Sequence, residues 1–196
     1  MRIIAGKLKG RKLRTPKNSD IRPTTDKVRE AVFSMLLPYM YDGFVAADVF
    51  SGSGAMGLEA VSRGAGRVYF SDASRESMAL TKENINICGV SENAVLLSGD
   101  FRSNIRRIRE SVDVFFLDPP YAEGYILPAL DAMLESEALA EGSVVVCEHA
   151  HRDELPDEYF GFVKKCDRKY GSIGVTIYDY LPGTDEEPGA SQEAQQ

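Results

Sequence analysis

Residues 48–57 read Asp-Val-Phe-Ser-Gly-Ser-Gly-Ala-Met-Gly, and this stretch decides the predicted fold. An apolar run over 44–50 leads into it and predicts a buried strand, and residues 58–64 continue it as a predicted helix. A strand, a glycine-rich loop and a helix in this order are typical of nucleotide-cofactor sites. The glycines allow a tight turn and close ligand approach, and the helix amino terminus presents N–H groups. The pattern GxGxxG also occurs in turns that bind no ligand, so the flanking elements carry the argument.

Acidic residues follow the next two predicted strands. Residues 67–71 form a second strand that ends at Asp72, about 20 positions after the first glycine, where a carboxylate can bind ribose hydroxyls. Residues 94–97 predict a third strand. Beyond it, Asp100 could accept an adenine amine and Phe101 could pack near the adenine ring. A ribose-binding carboxylate at the position of Asp72 suits NAD and S-adenosylmethionine (SAM) equally.

A fourth apolar run, over 112–117, predicts a buried strand, and Asp118-Pro119-Pro120-Tyr121 follows directly after it. In open α/β sheets ligands bind at the carboxyl ends of the strands, so this turn faces the predicted cleft. Asp118 and the carbonyl of Pro119 can accept the two hydrogens of an exocyclic amine, and Tyr121 can stack on the base. Prolines fix φ and have no N–H, which leaves carbonyls to point at the amine. The alternative is an ordinary turn at a strand end, where Asp and Pro are common.

The alternation of strands and helices predicts an α/β fold with a mostly parallel sheet covered on both faces. Three further strands are predicted over residues 143–147, 160–166 and 172–181, the last two as an antiparallel pair. Ser74 is predicted to cap a helix that runs through Ile87 and is closed by Gly89. Helices are also predicted over residues 101–109 and 124–139, the latter with Pro128 in its first turn.

Charge is distributed unevenly along the chain. The net charge is −7, from 30 acidic and 23 basic residues, but residues 1–29 carry +8 and the remainder therefore carries −15. A basic segment on an acidic body is a pattern that binds a polyanion locally. Gly6 and Gly10 can turn the chain, and apolar residues alternate with the charges, which favours a short basic hairpin over a solvated leader. The predicted RNA-binding residues are Lys7, Lys9, Arg11, Lys12 and Arg14.

The segment Arg22-Pro23-Thr24-Thr25-Asp26 precedes an amphipathic helix, which either threonine could cap. Arg22 and Arg29 flank this helix start, where they could face an anionic ligand or solvent. The expected organisation is a basic arm over residues 1–22, a catalytic domain over 23–182 and a disordered acidic tail over 183–196.

Several classes of protein are excluded by composition. No apolar run approaches about 18 residues, and basic residues interrupt the amino terminus, so neither a membrane span nor a signal segment is predicted. The three cysteines are widely spaced and are expected to be buried free thiols in a reducing cytoplasm. His149 and His151 are expected to be solvated loop residues, and no metal site is predicted.

The motifs together resemble a known family. The glycine stretch, Asp72 and Asp118-Pro-Pro-Tyr are similar to the pattern of SAM-dependent amino-methyltransferases. The opening narrows the choice: Arg2-Ile-Ile-Ala-Gly, Gly10-Arg-Lys-Leu and Arg22-Pro-Thr-Thr-Asp-Lys-Val-Arg-Glu resemble the bacterial small-subunit rRNA guanine-N2 methyltransferases, the RsmD family. The likeness extends to about Leu181. Ser71-Asp72-Ala73 differs from the Glu-Met-Asp-like sequence that is common at this position in the family.

This resemblance implies a Rossmann-like class I methyltransferase fold with seven strands, SAM as donor and the N2 amine of guanine 966 in 16S rRNA as acceptor. The implied partner is 16S rRNA in the small ribosomal subunit or an assembly intermediate, and the chain is expected to be a monomer. Catalytic roles are implied for Asp118, Pro119 and Tyr121. Cofactor contacts are implied for Arg22, Thr24, Asp48, Phe50, Ser51, Gly52, Ser53, Gly54, Asp72, Ala73, Asp100, Phe101 and Asp118.

Three other functions share part of this pattern. An adenine-N6 DNA methyltransferase, or another RNA amino-methyltransferase, would use the same base-gripping turn, but 196 residues leave little room for a target-recognition domain. An NAD-dependent oxidoreductase would use the glycine loop, but it would leave the Asp-Pro-Pro-Tyr turn without a role. An RNA-binding module without catalysis would give no role to the glycine loop or to the Asp-Pro-Pro-Tyr turn.

Overall fold

A computed structural model describes residues 1–16 and 26–183. Its helices are α1 (Asp26–Met35), α2 (Ala55–Ser62), α3 (Arg75–Cys88), α4 (Phe101–Ile105) and α5 (Ile126–Leu134). Its strands are β1 (Val45–Asp48), β2 (Arg67–Asp72), β3 (Ala94–Ser98), β4 (Val114–Leu117), β5 (Val144–Ala150), β6 (Glu158–Tyr159), β7 (Phe162–Tyr170) and β8 (Ile173–Tyr180). No helix within these residues combines the length and apolar character needed to cross a bilayer.

The strands form one sheet in the order β3-β2-β1-β4-β5-β8-β7-β6. The first five are parallel, and β8, β7 and β6 add on in antiparallel fashion. One face packs against α1, α2 and α3, and the other against α4 and α5, so the predicted α/β fold with a covered, mostly parallel sheet is confirmed. The strand order reverses between β1 and β4, which makes the carboxyl ends of these two strands the expected ligand crevice.

The strand count implied by the family resemblance was one too low. The sheet has eight strands, because Glu158–Tyr159 pairs with the start of β7. A two-residue strand shows no alternation in sequence, so it gave no signal. It is joined to β7 by a tight turn in which both Phe160 and Gly161 have positive φ, of 44° and 83°.

Local signals predicted the ends of α3 correctly. The Ser74 hydroxyl accepts the N–H of Ser77 at 3.2 Å, and Gly89 ends the helix in the left-handed conformation. In contrast, α4 ends at Ile105, four residues earlier than predicted, because hydrogen bonds between residues three apart tighten the chain at Arg107 and Ile108.

The first 14 residues fold back on themselves as a compact antiparallel turn. Arg2 and Lys12 form a single bridge, and the N–H of Ile3 donates to the carbonyl of Arg11 at 2.9 Å. Ile3 and Leu13 are buried in the core that faces α1 and α2. The predicted hairpin therefore lies against the main core as a turn with one bridge. The proposed boundary at residue 22 and all but the first residue of the proposed tail over 183–196 lie outside the described residues.

A buried carboxylate holds this segment in place. Glu59 of α2 is fully buried and accepts the N–H groups of Ile4 at 2.7 Å and Ala5 at 3.0 Å, as well as Arg63 Nε at 2.9 Å. The guanidinium of Arg29, also fully buried, lies 3.8 Å from Glu59 and donates to the carbonyl of Arg2 at 2.6 Å. Burial lowers the pKa of Arg29, and the charge of Glu59 opposes this. Arg29 thus faces the protein interior, and the expectation that it faces a ligand or solvent was wrong.

Gly57 allows α2 to approach β2 closely. A Cβ added at this position would lie 2.3 Å from the ring of Phe70, which is a contact that real structures do not tolerate. We expect Gly57→Ala to destabilise the protein by about 1–3 kcal/mol, measured by urea denaturation, although Ala is the better helix former. A second Phe70→Leu substitution should make the Gly57→Ala change less costly. A variant as stable as the wild type would show that this contact does not set the helix position.

Candidate active site

Four carboxylates lie along one edge of the sheet. Asp48 ends β1, Asp72 ends β2, Asp100 follows β3 and Asp118 follows β4. These strands are parallel neighbours, so their carboxyl ends meet at the same edge. The structure therefore brings together the four acidic residues that the sequence singled out.

The glycine loop is fixed to the second strand by backbone groups and by Asp72. The N–H of Ser51 donates to the carbonyl of Ser71 at 2.8 Å, and the N–H of Gly52 donates to Asp72 Oδ2 at 2.9 Å. Asp72 Oδ1 accepts the N–H of Ser74 at 2.8 Å. Each carboxylate oxygen can accept a further hydrogen bond, so Asp72 can hold the loop and still receive hydroxyl donors. Ala73 is exposed beside it.

Two polar residues of α3 support the loop from beneath. The Thr81 hydroxyl donates to the carbonyl of Gly52 at 3.0 Å, and Asn84 Nδ2 donates to the carbonyl of Ser53 at 2.8 Å. Both side chains are fully buried. The sequence did not indicate them, because a single polar residue in an amphipathic helix is ordinarily solvated.

The backbone of the loop turns sharply at Gly54 and leaves an open surface at Gly52. Gly54 has a φ of 77°, and a Cβ there would lie 3.0 Å from Thr81 Cγ2. A Cβ at Gly52 would meet no atom within 4 Å. The loop is thus supported on one side and accessible to a ligand on the other.

Asp48 stabilises the start of α2 from inside the protein. Its carboxylate is 3% exposed, and Oδ2 accepts the N–H of Gly57 at 2.9 Å. Burial raises its pKa to about 7, the Gly57 N–H opposes this shift, and the charge of Asp72 adds to it. The geometry gives Asp48 a role in shaping the loop.

Three aromatic rings cluster where the first, third and fourth strands end. Phe101 lies 5.1 Å from Phe50 and 5.3 Å from Tyr125, and the rings of Phe50 and Tyr125 are nearly parallel at 6.1 Å. The guanidinium of Arg102 covers Phe101 at 4.5 Å. The sequence analysis found Phe50 and Phe101 but missed Tyr125, which lies in an irregular segment without periodicity.

Asp100 caps the amino terminus of α4. Its Oδ1 accepts the N–H groups of Arg102 at 3.0 Å and Ser103 at 3.3 Å, which caps α4, and Oδ2 lies 3.4 Å from Arg102 Nη1. The side chain is about half exposed. It can therefore still accept a donor from a ligand through Oδ2.

The Asp-Pro-Pro-Tyr turn lies at the centre of this edge. Asp118 is half-buried and Pro119 is buried, whereas Pro120 and Tyr121 are exposed. The Tyr121 hydroxyl donates to Glu148 Oε1 at 2.6 Å. Beside the turn lies a cleft of about 190 Å³. Pro119, Pro120, Tyr121, Tyr125 and His149 are among its lining residues.

The expectation for His149 was wrong. It is 4% exposed on β5, its Nε2 lies 2.9 Å from the Thr176 hydroxyl, and its ring packs against Gly174. The strand continues to Ala150, three residues beyond its predicted end, and so covers this side chain. Cys88 and Cys147 are buried free thiols, while Cys166 is partly exposed. Within residues 1–16 and 26–183, no group of His, Cys, Asp or Glu is placed to hold a metal ion.

The predicted RNA-binding residues all lie on the surface. Arg14 pairs with Glu83 at 3.1 Å, and Arg11 donates to the carbonyl of Ile87 at 3.3 Å. In the described part of the chain, no carboxylate lies within ion-pair distance of Lys7, Lys9, Arg11 or Lys12. Arg22 and Thr24, predicted to contact the cofactor, lie outside the described residues.

Comparisons with known proteins show the family of this chain. The model of a family described as "Conserved hypothetical protein 95" matches residues 1–179. A Bacillus subtilis (strain 168) protein, provisionally named rRNA methyltransferase YlbH, is 35% identical over 181 residues, covering 91% of this chain and 98% of that protein. The Ribosomal RNA small subunit methyltransferase D of Escherichia coli (strain K12) is 29% identical over 178 residues, covering 91% of this chain and 89% of that protein. The chain belongs to the RsmD family of methyltransferases.

The fold of this RsmD-family chain also matches a solved structure. The structure of a protein from Escherichia coli, provisionally described as the methyltransferase yhhF, superposes with a TM-score of 0.82 at 26% identity. The match covers 92% of this chain and 98% of that one. The resemblance on which the family was predicted, from residue 2 to about 181, is thereby confirmed.

The raised pKa of Asp48 predicts a pH-dependent cost to stability in this RsmD-family protein. From about pH 4 to about pH 7 the unfolded chain has released this proton while the folded protein retains it, so the folded state loses relative stability as the pH rises. Asn cannot ionise but can still accept the Gly57 N–H. We expect Asp48→Asn to become increasingly stable relative to the wild type from about pH 4 to about pH 7 and the difference to level off above that, measured by urea denaturation.

The exposed Asp42, in the loop before β1, offers a matched control. Asp42→Asn should show a stability difference that changes little over the same range. A stability difference for Asp48→Asn that is equally independent of pH would contradict the argument.

Proposed function

We propose that this protein transfers a methyl group from SAM to the N2 amine of a guanine, position 966 of 16S rRNA. The observation that carries the proposal is the Asp118–Tyr121 turn at the end of β4, beside the glycine loop that follows β1. A group that can hold an exocyclic amine lies next to a loop that can hold a nucleotide cofactor. The names of the relatives, which are rRNA methyltransferases, support rRNA as the substrate class.

The chain's residues fit SAM. The open surface at Gly52 suits the close approach of the methionine part, and Asp72 can accept from the two ribose hydroxyls. The half-exposed Asp100 can accept from the adenine amine, and the cluster of Phe50, Phe101 and Tyr125 offers ring surface for the adenine. The carboxylates offer hydrogen-bond acceptors to the hydroxyls and the amine of the adenosine part, and the aromatic rings offer a surface for its base.

SAM supplies a methyl group activated by attachment to a sulfonium. The lone pair of an aromatic amine is delocalised into the ring. The residues of the turn therefore have to orient the amine so that its lone pair points at the methyl group. Asp118 and the carbonyl of Pro119 accept the two N2 hydrogens, which favours an amine whose lone pair points out of the ring plane. The carboxylate also stabilises the positive charge that develops on the nitrogen. Orientation is thus the main role of Asp118, and its carboxylate can also take up the proton that the methylated amine must release.

The guanine must leave its stack before it can reach this turn, which costs a few kcal/mol. Tyr121 is 38% exposed, and its hydroxyl is fixed on Glu148, so its ring offers a surface on which the displaced base can stack. Pro119 and Pro120 keep the turn rigid.

The exposed cations of the amino-terminal turn provide the RNA-binding surface. Lys7, Lys9, Arg11 and Lys12 lie on a segment that packs against α2, the helix that follows the cofactor loop. The segment reaches the cofactor loop at its other end, where Asn84 bonds both the backbone of Arg14 and the carbonyl of Ser53. The small ribosomal subunit or an assembly intermediate in the cytoplasm is the proposed partner.

The proposed function can be tested by mapping the methylated nucleotide. Labelled SAM would be incubated with naked 16S rRNA, small-subunit particles lacking base modification, and adenine-containing DNA. Label on the N2 amine of guanine 966 is expected. Label on a DNA adenine, or no label despite SAM binding, would overturn the proposal and favour the adenine-N6 or non-catalytic alternatives.

We expect Asp118→Ala to abolish methyl transfer while SAM affinity stays within a few-fold of the wild type. Removing the carboxylate leaves the amine without its main acceptor but leaves the loop contacts of Gly52 and Asp72 intact. Transfer is measured with labelled SAM, and SAM affinity by calorimetry. The same change at Asp42, which precedes β1 at the opposite edge of the sheet, is the control. Retained turnover by Asp118→Ala would contradict the assigned role.

Replacing Lys7, Lys9, Arg11 and Lys12 by Gln should weaken RNA binding. It should also flatten the dependence of affinity on salt, because each lost phosphate contact reduces counterion release. Filter binding over a range of salt concentrations measures both effects. The control variant loses four cations that are already paired with carboxylates: Arg67, Arg106, Arg109 and Lys165. An unchanged slope in the arm variant would exclude this segment as the RNA-binding surface.

A further inference from the structure

Glu148 is a buried carboxylate for which the mechanism above has no use beyond fixing Tyr121. It lies on β5, is 6% exposed, and accepts the Tyr121 hydroxyl at 2.6 Å. In the sheet, Leu117 of β4 is paired with Cys147 of β5, so Asp118 and Glu148 are the next residues of neighbouring parallel strands. Two carboxylates therefore stand side by side at the ligand-binding edge, at about the 4.8 Å spacing of adjacent strands.

Both carboxylates also face the same side of the sheet. Side chains alternate along a strand, and Phe116 and Val146, two positions earlier, both belong to the core that packs on α1 and α2. Consistent with this, Asp118 and Glu148 line one small depression together with Val32 and Met56. The two groups therefore lie close enough together for a single planar base edge to span both.

We propose that Glu148 is the residue that selects guanine, by accepting its N1–H while Asp118 and the Pro119 carbonyl hold the adjacent N2 amine. This inference rests on the proposed function and deepens it. Guanine presents an N1–H donor next to its exocyclic amine, whereas adenine presents an N1 lone pair next to its own. A carboxylate at this position attracts the first edge and repels the second.

The strand order supports this assignment. The elements that suit the cofactor follow β1, β2 and β3, on one side of β4, and Glu148 lies on β5, on the other side. When the N2 amine lies at Asp118 and points toward the cofactor, N1 is the next atom of the base edge. It then lies on the side of β5. Tyr121 acts as a positioning residue here, because its hydroxyl fixes one oxygen of Glu148 while its ring stacks on the base.

The base analogue 2-aminopurine separates this role from a structural one. It carries the same N2 amine as guanine, but its N1 is an acceptor without a hydrogen. Small-subunit particles would be reconstituted with 16S rRNA that carries either base at the target position. We expect the wild type to prefer guanine in kcat/KM by roughly 10- to 100-fold, the range expected for one hydrogen bond to a charged group.

Glu148→Gln should reduce this preference to within a few-fold, because the amide of Gln can donate to the N1 of 2-aminopurine. Transfer to guanine should fall, whereas SAM affinity should stay unchanged. Glu154→Gln makes the same change of charge at an exposed position in the loop after β5, and it should keep the wild-type preference. Tyr121→Phe retains the ring but releases Glu148, so it should lower the preference to an intermediate value.

The outcomes separate the two proposals. If the wild type methylates neither base, the proposed function is wrong and this inference falls with it. If the wild type methylates guanine but Glu148→Gln lowers transfer to both bases equally, Glu148 only supports Tyr121 and the inference alone is overturned. Should Glu148→Gln fail to fold, Tyr121→Phe decides, and an unchanged preference in that variant would overturn the inference.

Discussion

The carboxylate of Glu59 is the charge around which the amino-terminal half of the protein is arranged. Burying a charge costs several kcal/mol unless it is paired and hydrogen-bonded. Its partners are the N–H groups of Ile4 and Ala5, the guanidinium of Arg29 on α1, and Arg63, the residue directly after α2. The amino-terminal turn, α1 and α2 are consequently fixed to one another, and α2 is the helix that begins at the glycine loop.

This arrangement joins the basic surface to the cofactor loop. Asn84 exchanges hydrogen bonds with the backbone of Arg14, at 2.7 and 3.1 Å, and also donates to the carbonyl of Ser53 at 2.8 Å. One buried amide thus spans the basic segment and the loop. The two parts of the proposed site, for RNA and for cofactor, are parts of one packed unit.

Much of the fold could be predicted because its signals are local. Apolar runs marked the five parallel strands, Ser74 and Gly89 marked the ends of α3, and the position of Asp72 after β2 indicated its place at the sheet edge. Residues whose role depends on distant contacts gave no such signal. Arg29 and His149 looked like surface residues, and their buried partners, Glu59 and Thr176, come from other segments. Glu148 was missed for the same reason, since its neighbour Asp118 is 30 residues away in the chain.

The position of Met1 has a practical consequence for preparing this protein. Its carbonyl accepts the N–H of Leu13 at 3.1 Å, and its sulfur lies 3.7 Å from the hydroxyl of Ser53 in the glycine loop. An affinity tag fused ahead of Met1 would therefore begin at a residue whose side chain contacts that loop. A purification tag is therefore better placed at the carboxyl terminus. Because β8 is antiparallel to β5, it ends at the edge of the sheet opposite the ligand crevice.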